Sequence, residues 1–222
     1  MTLRFRAVLF DLDGTLVDSA PDLAGAANRL RIARDLPPLP LAVLRPWASH
    51  GARGLIGAAL GVRPDDSGYA ELQREFLDHY SGALAVESSV FAGVDALLAQ
   101  LEQAGVAWGV VTNKATRFAL PLMTALGLHA RAGVIVAGDT LTVAKPHPEP
   151  LLHAASQLGI AAADCAYIGD DERDIVAGRA AGMATIAAAY GYCSETDPAE
   201  WKPDAIIRAP GELIAALANL GH

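Results

Sequence analysis

The residues of this chain best placed to do chemistry begin at Asp11. It lies in the run Phe10-Asp11-Leu12-Asp13-Gly14-Thr15-Leu16-Val17-Asp18-Ser19, directly after the apolar stretch Ala7-Val8-Leu9. Spaced two apart at the end of a strand, the carboxylates of Asp11 and Asp13 leave the sheet side by side. Gly14 then lets the backbone bend tightly, and Thr15 adds a hydroxyl. Crowded carboxylates repel unless a cation, a proton or a bound ligand lies between them. A carboxylate nucleophile with an acid/base partner is one chemistry that uses such a pair. A solvated acidic turn is the plainer alternative.

Three further segments carry polar residues straight after apolar runs. Val110-Val111 leads into Thr112-Asn113-Lys114, which brings a hydroxyl, an amide and an ammonium to one point. Val143-Ala144 leads into Lys145-Pro146, where the proline restrains the backbone beside the lysine. Tyr167-Ile168 leads into Gly169-Asp170-Asp171-Glu172-Arg173-Asp174, acidic at a strand end and in the next helical turn. Each has a plainer reading by itself: Thr112 as a helix cap, Lys145 as a solvated loop lysine, the aspartates as partners of a helix N-terminus. Their recurrence in this order, each behind an apolar run, favours one shared site.

The elements that must position them read as alternating strands and helices. Strands are expected over residues 6–10, 107–111, 134–137, 165–168, 184–187 and 205–207, with helices over 93–103, 116–126, 148–158 and 172–181. The helices finish near Gly105, Gly127, Gly159 and Gly182, as left-handed C-caps would have it. Such alternation predicts an α/β fold with a doubly wound parallel sheet and right-handed crossovers. Ligands of such sheets gather outside the carboxyl ends of the strands, so all four segments can meet in one crevice. Residues 19–88 read as helices broken by Leu36-Pro37-Pro38-Leu39-Pro40 and Gly61-Val62-Arg63-Pro64, with no convincing strand. The expected organisation is therefore a core of residues 1–18 and 89–222 with an all-helical cap, residues 19–88, inserted after the first strand.

At 222 residues and 23.0 kDa the chain can hold one substantial core and an appendage. A hydrophobic content of 52% with only 6% aromatics suits alanine-rich helices on a sheet, and 19% charged residues is too few for disorder. The net charge of −8 argues against nucleic acid as a partner but leaves room for a small anion held by local cations. Lys114, Lys145 and Lys202 are the only lysines against 14 arginines, and two of the three fall in the segments above. Two cysteines, Cys165 and Cys193, give neither a disulfide framework nor zinc-ligand spacing. With no cleavable leader and no apolar stretch long enough to span a bilayer, a cytoplasmic protein without membrane partners is expected.

Asp11-Leu12-Asp13-Gly14-Thr15, Thr112-Asn113-Lys114, Lys145-Pro146 and Gly169-Asp170-Asp171 together resemble the four motifs of the haloacid dehalogenase superfamily of phosphatases. The resemblance spans the whole chain, the helical insertion included. It is greatest to the bacterial phosphoglycolate phosphatases and the N-acetylmuramic acid 6-phosphate phosphatases, through residues 15–23, 110–114, 145–148 and Tyr190-Gly191-Tyr192. It implies that Asp11 attacks phosphorus to form an aspartyl-phosphate, and that Asp13 protonates the leaving alkoxide and then activates water. Lys145 would neutralise Asp11 and a phosphate oxygen, while Thr112 and the backbone N–H of Asn113 hold the phosphoryl group. Asp170, with Asp11 and the carbonyl of Asp13, would ligate Mg²⁺. The fourth motif has a double acid where phosphoglycolate enzymes often place Asp-Ser; Asp171 is the expected outer-shell residue, with Asp174 the alternative.

The cap is the expected source of specificity. Ser49-His50-Gly51-Ala52-Arg53-Gly54 is read as a loop reaching over the crevice, with Arg53 meeting a carboxylate or hydroxyl of the substrate. A helix–helix turn with a surface arginine is the alternative. A small phosphorylated metabolite is the expected partner of a monomer or homodimer. The resemblance narrows the expected substrate to N-acetylmuramic acid 6-phosphate or 2-phosphoglycolate, with a lean towards the first. A sugar phosphomutase of the same superfamily and a phospho-accepting receiver domain stand as competing readings. The Asp-x-Asp-Gly-Thr spacing and the long insertion disfavour the receiver.

Overall fold

The structure, a computed structural model, describes residues 4–193 and 196–221; residues 1–3, 194–195 and 222 of the expected core range lie outside the described residues. The first apolar run forms β1 (Ala7–Phe10), buried at all four positions. A strand covered on both faces reads as a continuous hydrophobic run, which is why no alternation marks it in the sequence. Beyond the turn at Gly14 the chain enters β2 (Val17–Asp18) and then α1 (Ala20–Ile32). A short α2 (Leu41–Leu44) follows, then a 3₁₀ turn over Arg45–His50, α3 (Gly51–Leu60) and α4 (Tyr69–Ser81). The chain returns through β3 (Ser89–Val90), which pairs antiparallel with β2. This two-stranded ladder at the root of the helical segment was not expected, since two residues per strand carry no periodicity.

From there helices and strands alternate: α5 (Val94–Gln103), β4 (Ala107–Val111), α6 (Thr116–Ala125), β5 (Val134–Val136) and α7 (Glu149–Gln157). Then come β6 (Cys165–Gly169), α8 (Glu172–Ala180), β7 (Ala184–Ala188), β8 (Ala205–Ile207) and α9 (Leu213–Leu220). Six strands make one parallel sheet in the order β5-β4-β1-β6-β7-β8. The chain builds outward from β1 through β4 to β5, then crosses to the far side and builds β6 to β8. The carboxyl ends of β4, β1 and β6 therefore adjoin at the switch point, where such sheets hold ligands.

Alternating residues of the strands feed two cores. Val8, Phe10, Trp108 and Ile168 pack with Leu97, Leu101 and Leu213 on one face, and Ala7, Leu9 and Tyr167 with Leu151 and Ala177 on the other. Helices α1 to α4 bury a third cluster, with Leu30, Leu55, Ile56, Phe76 and Tyr80, which also takes in Phe118 and Tyr192 from the sheet-bearing part. At the root of this cap the buried Asp22 carboxylate accepts from the N–H groups of Val86 (3.0 Å), Glu87 (2.9 Å) and Ser88 (3.0 Å), and from Ser88 Oγ (2.6 Å). One acid thus satisfies the amides of the segment leading into β3 and ties it to α1. The expected loop at residues 49–54 is corrected: Ser49 and His50 end the 3₁₀ turn, and Gly51 to Gly54 open α3. No helix among the described residues is long and apolar enough to cross a membrane.

Candidate active site

Asp11 follows β1, its N–H bonded to Ile168 O of β6 at 2.8 Å, so its side chain emerges at the switch point. Lys145 arrives from the loop before α7 and spends its three N–H donors there. Nζ lies 2.9 Å from Asp11 Oδ1, 2.7 Å from Asp174 Oδ1 and 2.7 Å from Tyr167 Oη. Tyr167 Oη in turn donates to Val111 O at 2.8 Å, so the lysine head is fixed by a side chain of the neighbouring strand. Burial by itself would lower the Lys145 pKa, but Asp11 and Asp174 outweigh it and raise it, keeping the ammonium charged.

Asp170 directly follows β6, the strand that carries Tyr167. Its Oδ1 accepts from Thr15 Oγ1 (3.0 Å), and its Oδ2 accepts from the N–H of Tyr192 (2.8 Å) and from Ser49 Oγ of the cap (3.3 Å). Carboxylate oxygens of Asp11, Asp170 and Asp174 lie within 4.8 Å of one another. Burial, then the charges of Asp11 and Asp174, push Asp170 well above the usual carboxylate range; burial likewise pushes Asp174 up to about 6. Three crowded carboxylates against one buried ammonium are an uncompensated anionic centre built of hard oxygen donors. That donor set fits a divalent cation of the Mg²⁺ type. Room for it is made by glycine: a Cβ on Gly14 or Gly191 would overlap Asp170, and one on Gly169 would overlap Asp174.

Asp171 and Asp174, the two candidates for the outer-shell position, face different ways. Asp171 is the N-cap of α8, accepting from Arg173 N at 2.9 Å and gripping the Arg173 guanidinium through Nε (2.7 Å) and Nη2 (2.9 Å). Asp174 folds back towards the sheet, taking Lys145 Nζ and the N–H of Asp171 (3.1 Å). Arg173 also reaches the cap, donating to Ser49 O at 2.7 Å.

Asp13 projects on the cap side. Lys114 Nζ lies 3.0 and 3.1 Å from its two oxygens, and Ser19 Oγ donates to Oδ1. Thr112 is buried at the end of β4 and accepts the N–H of Lys114 at 3.2 Å; α6 is capped by Ala115, so Thr112 is not its helix cap. The Asn113 side chain clasps the backbone of Lys145, donating to its carbonyl (2.9 Å) and accepting from its N–H (3.0 Å). Asp11, Asp13, Thr112, Asn113, Lys114, Lys145 and Asp174 line one cavity of about 340 Å³, roofed by Leu23, Ser49, Phe76 and Tyr80 of the cap. Arg53 is not among its lining residues. It stands exposed in the first turn of α3 and lines a wider, adjoining concavity with Trp47, Gly57 and Tyr69.

Neither Tyr167 nor Ser19 stands out in the sequence as a site residue, and the part Tyr192 plays has no local signal there. Tyr192 N–H holds Asp170, and its hydroxyl accepts from the N–H groups of Ser19 (2.8 Å) and Ala20 (2.9 Å), where the chain leaves for the cap.

A doubly wound sheet with a helical cap after its first strand, and an aspartate–lysine centre at the switch point, define a capped α/β enzyme of the aspartate-bearing kind. The chain belongs to the haloacid dehalogenase-like hydrolases, whose family model matches residues 5–182. It is 48% identical over 216 residues to an N-acetylmuramic acid 6-phosphate phosphatase of Pseudomonas aeruginosa, covering 97% of this chain and 96% of that protein. It is 46% identical over 213 residues to a phosphoglycolate phosphatase of Xanthomonas campestris pv. campestris, covering 95% and 96%. A crystal structure of a predicted phosphoglycolate phosphatase from Haemophilus somnus superposes with a TM-score of 0.86 at 29% identity, covering 97% of this chain and 99% of that one.

Proposed function

We propose that this hydrolase is an Mg²⁺-dependent phosphatase that cleaves a small phosphorylated metabolite through an aspartyl-phosphate on Asp11. The observation that carries this reading is the convergence of Asp11, Asp170 and Asp174 on one point beside the buried ammonium of Lys145. Asp11, Asp170 and the backbone carbonyl of Asp13 would hold Mg²⁺, with Asp174 beside them. Bound there, the ion supplies charge neutralisation for a transferring phosphoryl group.

The chain's own residues do the rest. Asp11 is the nucleophile, its free oxygen turned to phosphorus while Lys145 holds the other; the ammonium eases the approach of anion to anion. Thr112 Oγ1 and the N–H of Asn113 orient the phosphoryl oxygens, and Asn113 keeps Lys145 in register through their paired hydrogen bonds. Asp13 gives its proton to the leaving alkoxide and takes one from the water that clears the intermediate. Positioning and charge carry most of such a reaction.

The cavity suits a small anion. Lys114, Arg117, Lys145 and Arg173 line it, while Leu23, Phe76 and Phe118 give it apolar walls. Its volume of about 340 Å³ is at the small end of metabolite sites. That favours a compact ester over a phosphoprotein or nucleic acid. The relatives' names frame the choice between an N-acetylated amino-sugar phosphate and 2-phosphoglycolate. The test is phosphate release from both compounds with Mg²⁺, with chelator, and with Asp11→Asn. Turnover should vanish in the last two conditions; sustained turnover in either would overturn the mechanism.

A further inference from the structure

We propose that Lys114 and Tyr80 form a core–cap subsite that recognises an acceptor oxygen on the leaving alcohol, one carbon beyond the ester carbon. The inference rests on the phosphatase reading and deepens it.

Lys114 comes from the loop between β4 and α6 and Tyr80 from the last turn of α4, so the pair exists only when cap and core meet. The Lys114 side chain is only 7% exposed, and its Nζ bridges both oxygens of Asp13. It also lies 4.6 Å from the centroid of the Tyr80 ring, a cation–π distance. Two donors are engaged by Asp13 and the third faces the Tyr80 side chain.

Tyr80 is 1% exposed, yet its hydroxyl is one of two buried side-chain polar atoms without a hydrogen-bond partner among the described residues; the other is His79 Nε2. A buried hydroxyl left unpaired costs stability, so its retention calls for a reason. Both side chains line the cavity that holds Asp11 and Asp13. Because Lys114 touches the residue proposed to protonate the ester oxygen, whatever Lys114 recognises must lie within a few bonds of that oxygen. An O–C–C–O arrangement meets this. The carboxylate of 2-phosphoglycolate supplies it, and so does the ring oxygen of a sugar 6-phosphate.

The experiment compares kcat/KM for 2-phosphoglycolate, N-acetylmuramic acid 6-phosphate and ethyl phosphate, which lacks the acceptor, in the wild type, Lys114→Met and Tyr80→Phe. Intrinsic leaving-group differences cancel when each substrate's ratio to ethyl phosphate is compared between proteins. Lys114→Met should shrink the phosphoglycolate ratio by roughly ten- to a hundredfold and the sugar phosphate ratio by less, since a neutral oxygen loses a weaker bond. Tyr80→Phe should shrink the ratio of the preferred substrate roughly three- to tenfold while its Tm stays level or rises. Those opposite signs separate recognition from packing, because a structural tyrosine would lose both together. Unchanged ratios in both variants, or a Tyr80→Phe protein with lower Tm and all three rates down in proportion, would overturn the subsite. No phosphate release by the wild type from any of the three would instead refute the phosphatase reading.

Discussion

Gly14→Ala tests whether the acidic centre is built as tightly as its geometry indicates. Gly14 sits at φ +82°, and a Cβ there would overlap the Asp170 carboxylate. Two costs follow. The left-handed backbone costs a residue with a side chain about 1–2 kcal/mol. Displacing Asp170 forfeits at least one of its bonds from Thr15 Oγ1 and the N–H of Tyr192, and a hydrogen bond to a charged group contributes about 1.5–3 kcal/mol. The sum is about 2.5–5 kcal/mol, or a fall in Tm of about 5–20 °C for a chain of this size. Gly182→Ala is the control. Gly182 has φ +74° with nothing within 4 Å of an added Cβ, so it bears only the backbone cost. Its Tm should fall by about 2–8 °C.

The two variants should differ more in metal binding than in stability. Disturbing a carboxylate's supporting contacts typically weakens a metal site by roughly ten- to a hundredfold. Titration calorimetry with Mg²⁺ should therefore show that weakening for Gly14→Ala and none for Gly182→Ala. Equal Tm losses and equal Mg²⁺ affinity in the two would refute the claim that Gly14 makes room for Asp170.

Two further substitutions separate residues that sequence alone leaves ambiguous. Asp174→Asn removes the charge that Lys145 and the acidic cluster share, and should lower kcat by about a hundredfold or more. Asp171→Ala removes a helix cap and should cost about 1 kcal/mol of stability with kcat changed only a few-fold; the reverse pattern would return the role to Asp171. Arg53→Ala should leave KM for the preferred substrate within about twofold, as for a side chain that makes no contact with it. A tenfold rise in KM would put the arginine over the cavity after all.

The fold was largely legible because its signals are local. Continuous apolar runs of three to five residues, alternating with helices that finish near Gly105, Gly127, Gly159 and Gly182, indicate a parallel α/β sheet with little help from tertiary context. Asp11, Thr112 and Asp170 follow directly on strands, so their meeting is readable from topology, whereas Lys145 comes from the loop between β5 and α7 and is brought in by tertiary contacts. The cap was legible only as a helical region. Its details depend on contacts distant in sequence, such as Asp22 with residues 86–88 and Tyr192 with Ser19 and Ala20. A tyrosine 173 residues away from the serine whose amide it accepts leaves no periodic trace. The glycines around Arg53 read as a loop, but they lie inside α3, where helix geometry rather than loop reach sets the direction of the side chain.

The choice between Asp171 and Asp174 had a readable signal. Asp171-Glu172-Arg173-Asp174 has an acid at the first and fourth positions, directly after an apolar strand, which is the spacing of a capping box. In that motif the first side chain turns along the new helix to meet its free N–H groups. The fourth turns back to the amide of the first, and so towards the strand end. Both halves are present, with Asp171 accepting from Arg173 N and Asp174 accepting from Asp171 N. The acid committed to the helix cannot also face the sheet, whereas the one that folds back is carried to Lys145 and the cluster. Helix capping and the acidic centre are thus one arrangement. The N-terminus of α8 uses Asp171 for its own donors, and by the same geometry delivers Asp174 to the switch point.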